Sequence, residues 1–280
     1  MKHILPLVII FMSFLVSAQI QEKALSPADS LKVKTYWDKA NDTYLYSQQR
    51  QFYLDSALAI EPWNAFYWQQ KAMPLCKQKK YEIGMVFMDS AVKYNRKKYT
   101  DYRAFMKCIF QKHYQEAIAN FREAETITPN GYVMDHSYNF YIGLCYLQLN
   151  QFDSSIYYIT KSIEHRSKTF GDNWVNHTEL FYLGVNFYEL FNYQKAIETF
   201  DKALLIHPNL PEAKFYKAKC LVYQNKKELA LKMFIQADVD LRKGYNLNED
   251  NIVYEEYPYQ VKGLYISSNI KHLNTELYGK

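Results

Sequence analysis

Between His177 and Asn209, apolar and small residues return at helical spacing twice, with a polar break between the two runs. Leu180, Leu183, Gly184 and Phe187 stand at i, i+3, i+4 and i+7, which is one stripe of an α-helix. After the break, Ala196, Phe200 and Ala203 repeat the spacing until Pro208 stops it. Two amphipathic helices joined by a tight turn follow from this pattern. Gly184 and Ala196 are small enough to let the two backbones approach to the usual ~8–10 Å between helix axes. Tyr193, just before the second stripe, fills the end of the turn.

This joint phase of small, aromatic and proline positions resembles the tetratricopeptide repeat (TPR), a unit of ~34 residues. Carried along the chain, the phase gives about six units over residues 31–244. A degenerate first unit, to about Asn64, has Tyr36, Trp37 and Ala40 on one helix and Phe52, Leu54, Ala57 and Leu58 on the next. The second, from Ala65, carries Trp68 and Ala72, then Gly84, Met88 and Ala91. Pro74 lies inside its first helix and is expected to kink or shorten the last turn. The third, from Lys98, is clear at Tyr114, Ala117, Phe121 and Ala124, while Phe105 takes its small-residue slot and implies looser packing there. The fourth, from His136, has Ile142, Gly143, Tyr146, Phe152, Ser155 and Ile159. Residues 170–176 form an insertion from which Trp174 is expected to fold back and plug the gap between units. The sixth unit runs from Pro211 to Gly244, a suitable helix C-cap. The expected fold is all-α: a right-handed α-solenoid of about six TPR helix pairs, closed by a helical C-terminal capping segment over residues 245–280.

The start of the chain reads differently. Met1-Lys2-His3 is a short basic opening, Ile4 to Val16 is apolar, and Val16-Ser17-Ala18 is a small-residue cleavage site. Residues 1–18 are therefore read as a signal peptide, its apolar run well short of the ~20 residues a spanning helix needs. No cysteine stands at the cleavage site to carry a lipid anchor. Residues 19–30 are expected to be a mobile leader that ends in an N-cap at Asp29 or Ser30. The mature chain should be exported, to the periplasm, with an extracellular location as the alternative.

Composition bounds the partners. The net charge of +5 is modest but uneven, with eleven Lys or Arg over residues 71–112 against Glu82, Asp89 and Asp101. Glu249, Asp250, Glu255 and Glu256 gather near the other end. The basic 71–112 segment suits an envelope polymer, a membrane surface or an acidic partner, and so moderate a charge on an exported chain argues against nucleic acid. Cys76, Cys108, Cys145 and Cys220 fall in four different first helices, whose stacking sets most pairs beyond the ~7 Å between Cα atoms that a bridge tolerates. Free buried thiols are expected, with Cys76 and Cys108 the pair to test.

No enzyme, cofactor or metal is indicated. The chain lacks His-Glu-x-x-His, Gly-x-Ser-x-Gly and Walker A patterns, and its seven His are scattered without an i, i+4 pair. The TPR resemblance instead implies a concave groove lined by the first helices. Its inward positions carry Phe66, Gln69, Tyr99, Tyr102, Met106, Phe110, Phe140, Phe181, Tyr188, Phe215 and Tyr223, with a basic border from Lys77, Arg103 and Lys107. The asparagine slot of carboxylate-clamping TPRs holds Gln70, Arg103, Tyr141, Tyr182 and Tyr216 here, so capture of a terminal carboxylate is not implied. The expected function is an exported scaffold or adaptor that binds a protein or peptide in an aromatic groove, in assembly or maintenance of the cell envelope. The alternative is an envelope protein that binds glycan or peptidoglycan on exposed Tyr and Trp rings.

Overall fold

The computed structural model describes residues 24–247, 249 and 251–279. The signal peptide expected at 1–18, and the leader as far as residue 23, lie outside the described residues. Within them the leader ends earlier than expected. Helix α1 (Pro27–Asn41) is capped by the Ser26 hydroxyl, which accepts from the Asp29 amide at 3.1 Å. Pro27 at the first helical position has its φ preset for this start.

Six antiparallel pairs follow. They are α1 with α2 (Gln48–Ile60), α3 (Ala65–Lys77) with α4 (Tyr81–Tyr94), and α5 (Arg96–Phe105) with α6 (Tyr114–Ile127). Next come α7 (Tyr138–Gln148) with α8 (Phe152–Phe170), α9 (His177–Glu189) with α10 (Tyr193–Ile206), and α11 (Pro211–Tyr223) with α12 (Lys227–Arg242). Helix α13 (Gly263–Tyr278) packs on α12. This is the right-handed solenoid of helix pairs, with a helical cap.

One backbone device sets the turn inside units two to six. Lys79, Lys112, Asn150, Phe191 and Asn225 occupy equivalent positions and all adopt φ between 56° and 61°. A left-handed residue after a helix lets the next amide reach back to the last turn. The bonds from Lys80 to Leu75, Gln151 to Tyr146, Asn192 to Phe187 and Lys226 to Leu221 all measure 2.9 Å. Within the pairs, small residues let the helices close. A Cβ on Gly184 would stand 2.6 Å from the Phe200 ring, and one on Gly143 2.6 Å from Ile159.

Several local expectations change. Pro74 neither ends nor shortens α3, which reaches Lys77 and equals α9 and α11 in length. Placed in the final turn, the proline removes one donor and little else follows it to be disrupted. Phe105 does not sit in loose packing: it is buried, and residues Met106–Gln111 immediately after it form a π-helical turn. The wider turn takes up the bulk where other units have Gly or Ala. The connection from α6 to α7 is not plain loop but a short antiparallel hairpin, β1 (Tyr132–Val133) with β2 (His136–Ser137). Helix α8 extends to Phe170 before Gly171, at φ 97°, stops it. This length carries Trp174 away from the gap between units, and instead of plugging it the side chain is 65% exposed, its ring 6.2 Å from Phe170. The four cysteines are free and buried. The close pair is Cys108 with Cys145, sulfurs 3.4 Å apart, rather than Cys76 with Cys108, because Cys108 lies in the π turn that shifts its register toward α7.

The C-terminal segment also departs from expectation. Gly244, at φ 90°, closes α12, but the described residues between it and α13 form no helix over the last pair and reach it at Tyr216 and Glu212 of α11. Residues 245–247, 249 and 251–262 run without regular secondary structure across the first helices of several units, and α13 packs on α12 as a cap. Leu247, Tyr257 and Val261 are buried in the same core cluster as those helices.

Candidate functional site

The face formed by the first helices is the inner side of the solenoid, and a strap, described at residues 245–247, 249 and 251–262, lies on it. Near its start, Glu249 meets His136 at the head of α7, 2.9 Å apart and both buried. The strap then reaches the turns of units two and three. The Lys77 amine lies 4.2 Å above the Tyr254 ring and holds that phenol below its usual pKa. Lys79 and Lys112 approach Glu255 at 3.8 and 3.9 Å, and the Tyr81 hydroxyl donates to the same carboxylate. Lys112 also donates to the Glu256 carbonyl at 2.6 Å.

From there the strap turns back over the later units. Tyr257 is buried beside Tyr141 on α7. The Tyr182 hydroxyl on α9 donates to the Pro258 carbonyl at 2.9 Å. The Tyr259 ring packs edge-on against Tyr216 of α11 at 5.6 Å, and its hydroxyl donates to Glu189 at 2.8 Å. At the exit, Val261 lies over Glu212, the second residue of α11. Glu212 is fully buried, and its carboxylate faces backbone amides and no cation. Burial pushes its pKa up to about 7, with the Glu212 and Val261 backbone amides offsetting part of the rise.

The expected groove residues are placed differently from this wall. Phe140, Phe181 and Phe215 occupy equivalent positions but are buried inside the repeat stack: Phe140 on His136 at 4.1 Å, Phe181 on Phe200 and Tyr216, Phe215 on Phe234. Met106 and Phe110 are core residues around the π turn. Tyr188 is half-buried among Tyr193, Tyr216 and Tyr223, while Tyr223 is 56% exposed and stacks on Tyr193 at 4.6 Å. Of the basic border, Lys77 does face the inner side. Arg103 turns instead to Asp89 and Glu123, and Lys107 to Glu116, all on second helices. Paired carboxylates there offset the desolvation of these two cations, which draws them off the groove.

Sequence reasoning missed Tyr141, Tyr182 and Tyr216, the rings that reach the strap. Their signal was present as tyrosine at one position of three consecutive first helices. Tyr99 is largely buried and Tyr102 half-buried, and both border a shallow surface depression. With Phe66 and Gln69 on α3 and with Tyr132 and Met134 of the hairpin, they form a trough between α3, α5 and the β-turn. Phe66 is 37% and Met134 41% exposed there.

Comparison with known proteins agrees with this geometry. The tetratricopeptide repeat family model matches residues 177–210, the stretch with the clearest helix-pair pattern. The chain carries a tetratricopeptide repeat and folds as a TPR solenoid. A second family model, regulator of microtubule dynamics protein 1-3, matches residues 84–183. Among curated proteins none matches the sequence. The TPR solenoid is similar to the crystal structure of PilW, a widely conserved type IV pilus biogenesis factor, with a TM-score of 0.59 at 15% identity over 78% of this chain and 96% of that one. A TPR protein from Parabacteroides merdae gives 0.58 at 14% identity over 89% and 99%. Pseudomonas aeruginosa PilF gives 0.55 at 15% over 78% and 93%. At these identities the likeness is one of fold. Among the described residues no helix is long and apolar enough to cross a membrane, and no group of three or more His, Cys, Asp or Glu is placed to hold a metal.

Proposed function

We propose that this TPR protein is an exported, non-catalytic scaffold that holds a protein partner by an extended segment laid against its first helices, in assembly or maintenance of the cell envelope. The observation that carries this reading is that the inner face already grips polypeptide. Tyr182 and Lys112 donate to the main-chain carbonyls of Pro258 and Glu256, and tyrosine rings receive the side chains between them. Side chains that bond to backbone acceptors suit an extended peptide whatever its fold elsewhere. The trough at Phe66, Tyr99 and Tyr102 is the part of this face that the strap leaves open to a partner. Export rests on the basic and apolar pattern of residues 1–18.

The test is quantitative co-purification from the native host with tagged wild type, a Phe66→Ala/Tyr102→Ala double variant and a Leu205→Ala control on the outer face of α10. A partner retained by wild type and control should fall about tenfold with the double variant, since aromatic anchors dominate interface energies. Equal retention by all three would remove the trough from the function.

A further inference from the structure

We infer that the mature protein carries a disulfide between Cys108 and Cys145, a covalent clamp from the third unit to the fourth. The inference takes its oxidising surroundings from the export reading above and adds a modification site to it.

Placement is the first observation. Cys108 stands in the π turn after α5 and Cys145 on α7, and their sulfurs are 3.4 Å apart. Sulfurs in a disulfide stand about 2.05 Å apart, so the two must close by about 1.4 Å, which side-chain torsions supply without shifting a helix. Cys76 and Cys220 are buried on α3 and α11, in other units, and remain thiols.

The second observation is burial. Both sulfurs are shut from solvent, with the Tyr114 hydroxyl and the strap's Tyr257 hydroxyl nearby. Burial, and then the contact with Cys108, hold the Cys145 thiol well above its usual pKa. A folded chain therefore offers little thiolate, and the bond forms as α7 docks on the third unit. The oxidant is a disulfide, small or protein-borne. The thiolate of one cysteine attacks it and releases one oxidant thiol, leaving a mixed disulfide. The other cysteine then displaces the second oxidant thiol. Two protons and two electrons leave the pair, and the oxidant disulfide is reduced to two thiols.

The bond closes residues 108–145 into a loop that holds α6 and the hairpin. Tyr132 and Met134 of that hairpin wall the trough, so the clamp fixes one side of the surface offered to a partner.

A thiol count tests this. The full chain, reduced and denatured, is refolded with reduced and oxidised glutathione, alkylated in denaturant and weighed by mass spectrometry. Two alkylated thiols are expected, Cys76 and Cys220, with Cys108 and Cys145 joined in an unreduced digest. Four alkylated thiols, or another pairing, overturn the proposal. The oxidised protein should melt about 5–10 °C above the reduced one, since a loop of this length is closed in the unfolded chain. The Cys108→Ser/Cys145→Ser variant should show no such difference. An unchanged or lower melting temperature on oxidation overturns the clamp, and wild type with and without reductant decides this even if the variant does not fold. The same count on protein alkylated inside its native host separates this inference from the export reading. Four free thiols there overturn the bond. A chain that still bears residues 1–18 then removes export as well, whereas one that begins at Gln19 leaves export standing.

Discussion

Gly184 shows how one missing methyl group permits a helix pair. Its site faces the Phe200 ring, which is fully buried and held by Phe181 and Tyr216. The ring has little freedom to move aside, so Gly184→Ala should cost about 1–3 kcal/mol from overpacking. Urea denaturation would show it, and adding Phe200→Leu should recover part of the loss. Glu212 gives a pH-dependent test at the same scale. Burial raises its folded pKa from 4.5 to about 7, so between those values the folded state holds a proton that the unfolded chain has released. Its contribution to stability is full below pH 4.5 and is lost as pH rises through 7. Glu212→Gln should therefore raise the melting temperature at pH 8 and leave it nearly unchanged at pH 4.5. A gain at pH 4.5 as large as at pH 8 would contradict a carboxyl group whose pKa burial has raised.

Among the elements, α13 carries a role that its sequence only outlines. Ile266 and Leu273 are buried against α12, and Lys227 meets Glu276 across the same contact at 2.5 Å. Truncating a buried leucine costs roughly 2–5 kcal/mol where the whole fold must bear it. Because α13 is a terminal helix, Leu273→Ala should appear as local opening, with faster amide exchange in α13 and unchanged protection in α7 to α10. Elements also mark where sequence reasoning held and where it slipped. The helix pairs from His136 onward were legible because period, small residues and turn residues agree there. The hairpin, the π turn and the longer α8 were not, since none of them follows from the helical period. At the π turn, Phe105 packs on Tyr141, 36 residues on, a contact that spacing does not record.

At the scale of the whole molecule, the described residues form two cores. Val33, Ala40, Leu54, Ala57, Leu58 and Tyr67 form a cluster of their own around α1 and α2, while one continuous cluster runs from Ala65 to Leu273. Solenoids open where neighbour contacts are weakest, so amide exchange should find α1 and α2 opening first, with α7, α9 and α11 last. A single cooperative exchange unit from Pro27 to Arg242 would contradict the division. The strap adds contacts between units far apart in sequence, such as Tyr81 with Glu255, which a chain of nearest neighbours lacks. Loosening it should widen the gap between first and last opening.

Period and residue size alone determined that this chain pairs helices and stacks them, because each amphipathic stripe must find apolar cover within a few turns of its own sequence. They also set the two blocks of opposite charge, basic near the middle units and acidic near the end. Only the tertiary structure decided that these blocks meet, that the phenylalanines at the expected groove positions face inward while the tyrosines beside them line the groove, and that the tail fills it. Those outcomes depend on which helix turns bring distant surfaces within a few ångströms, and spacing along a chain carries no record of that.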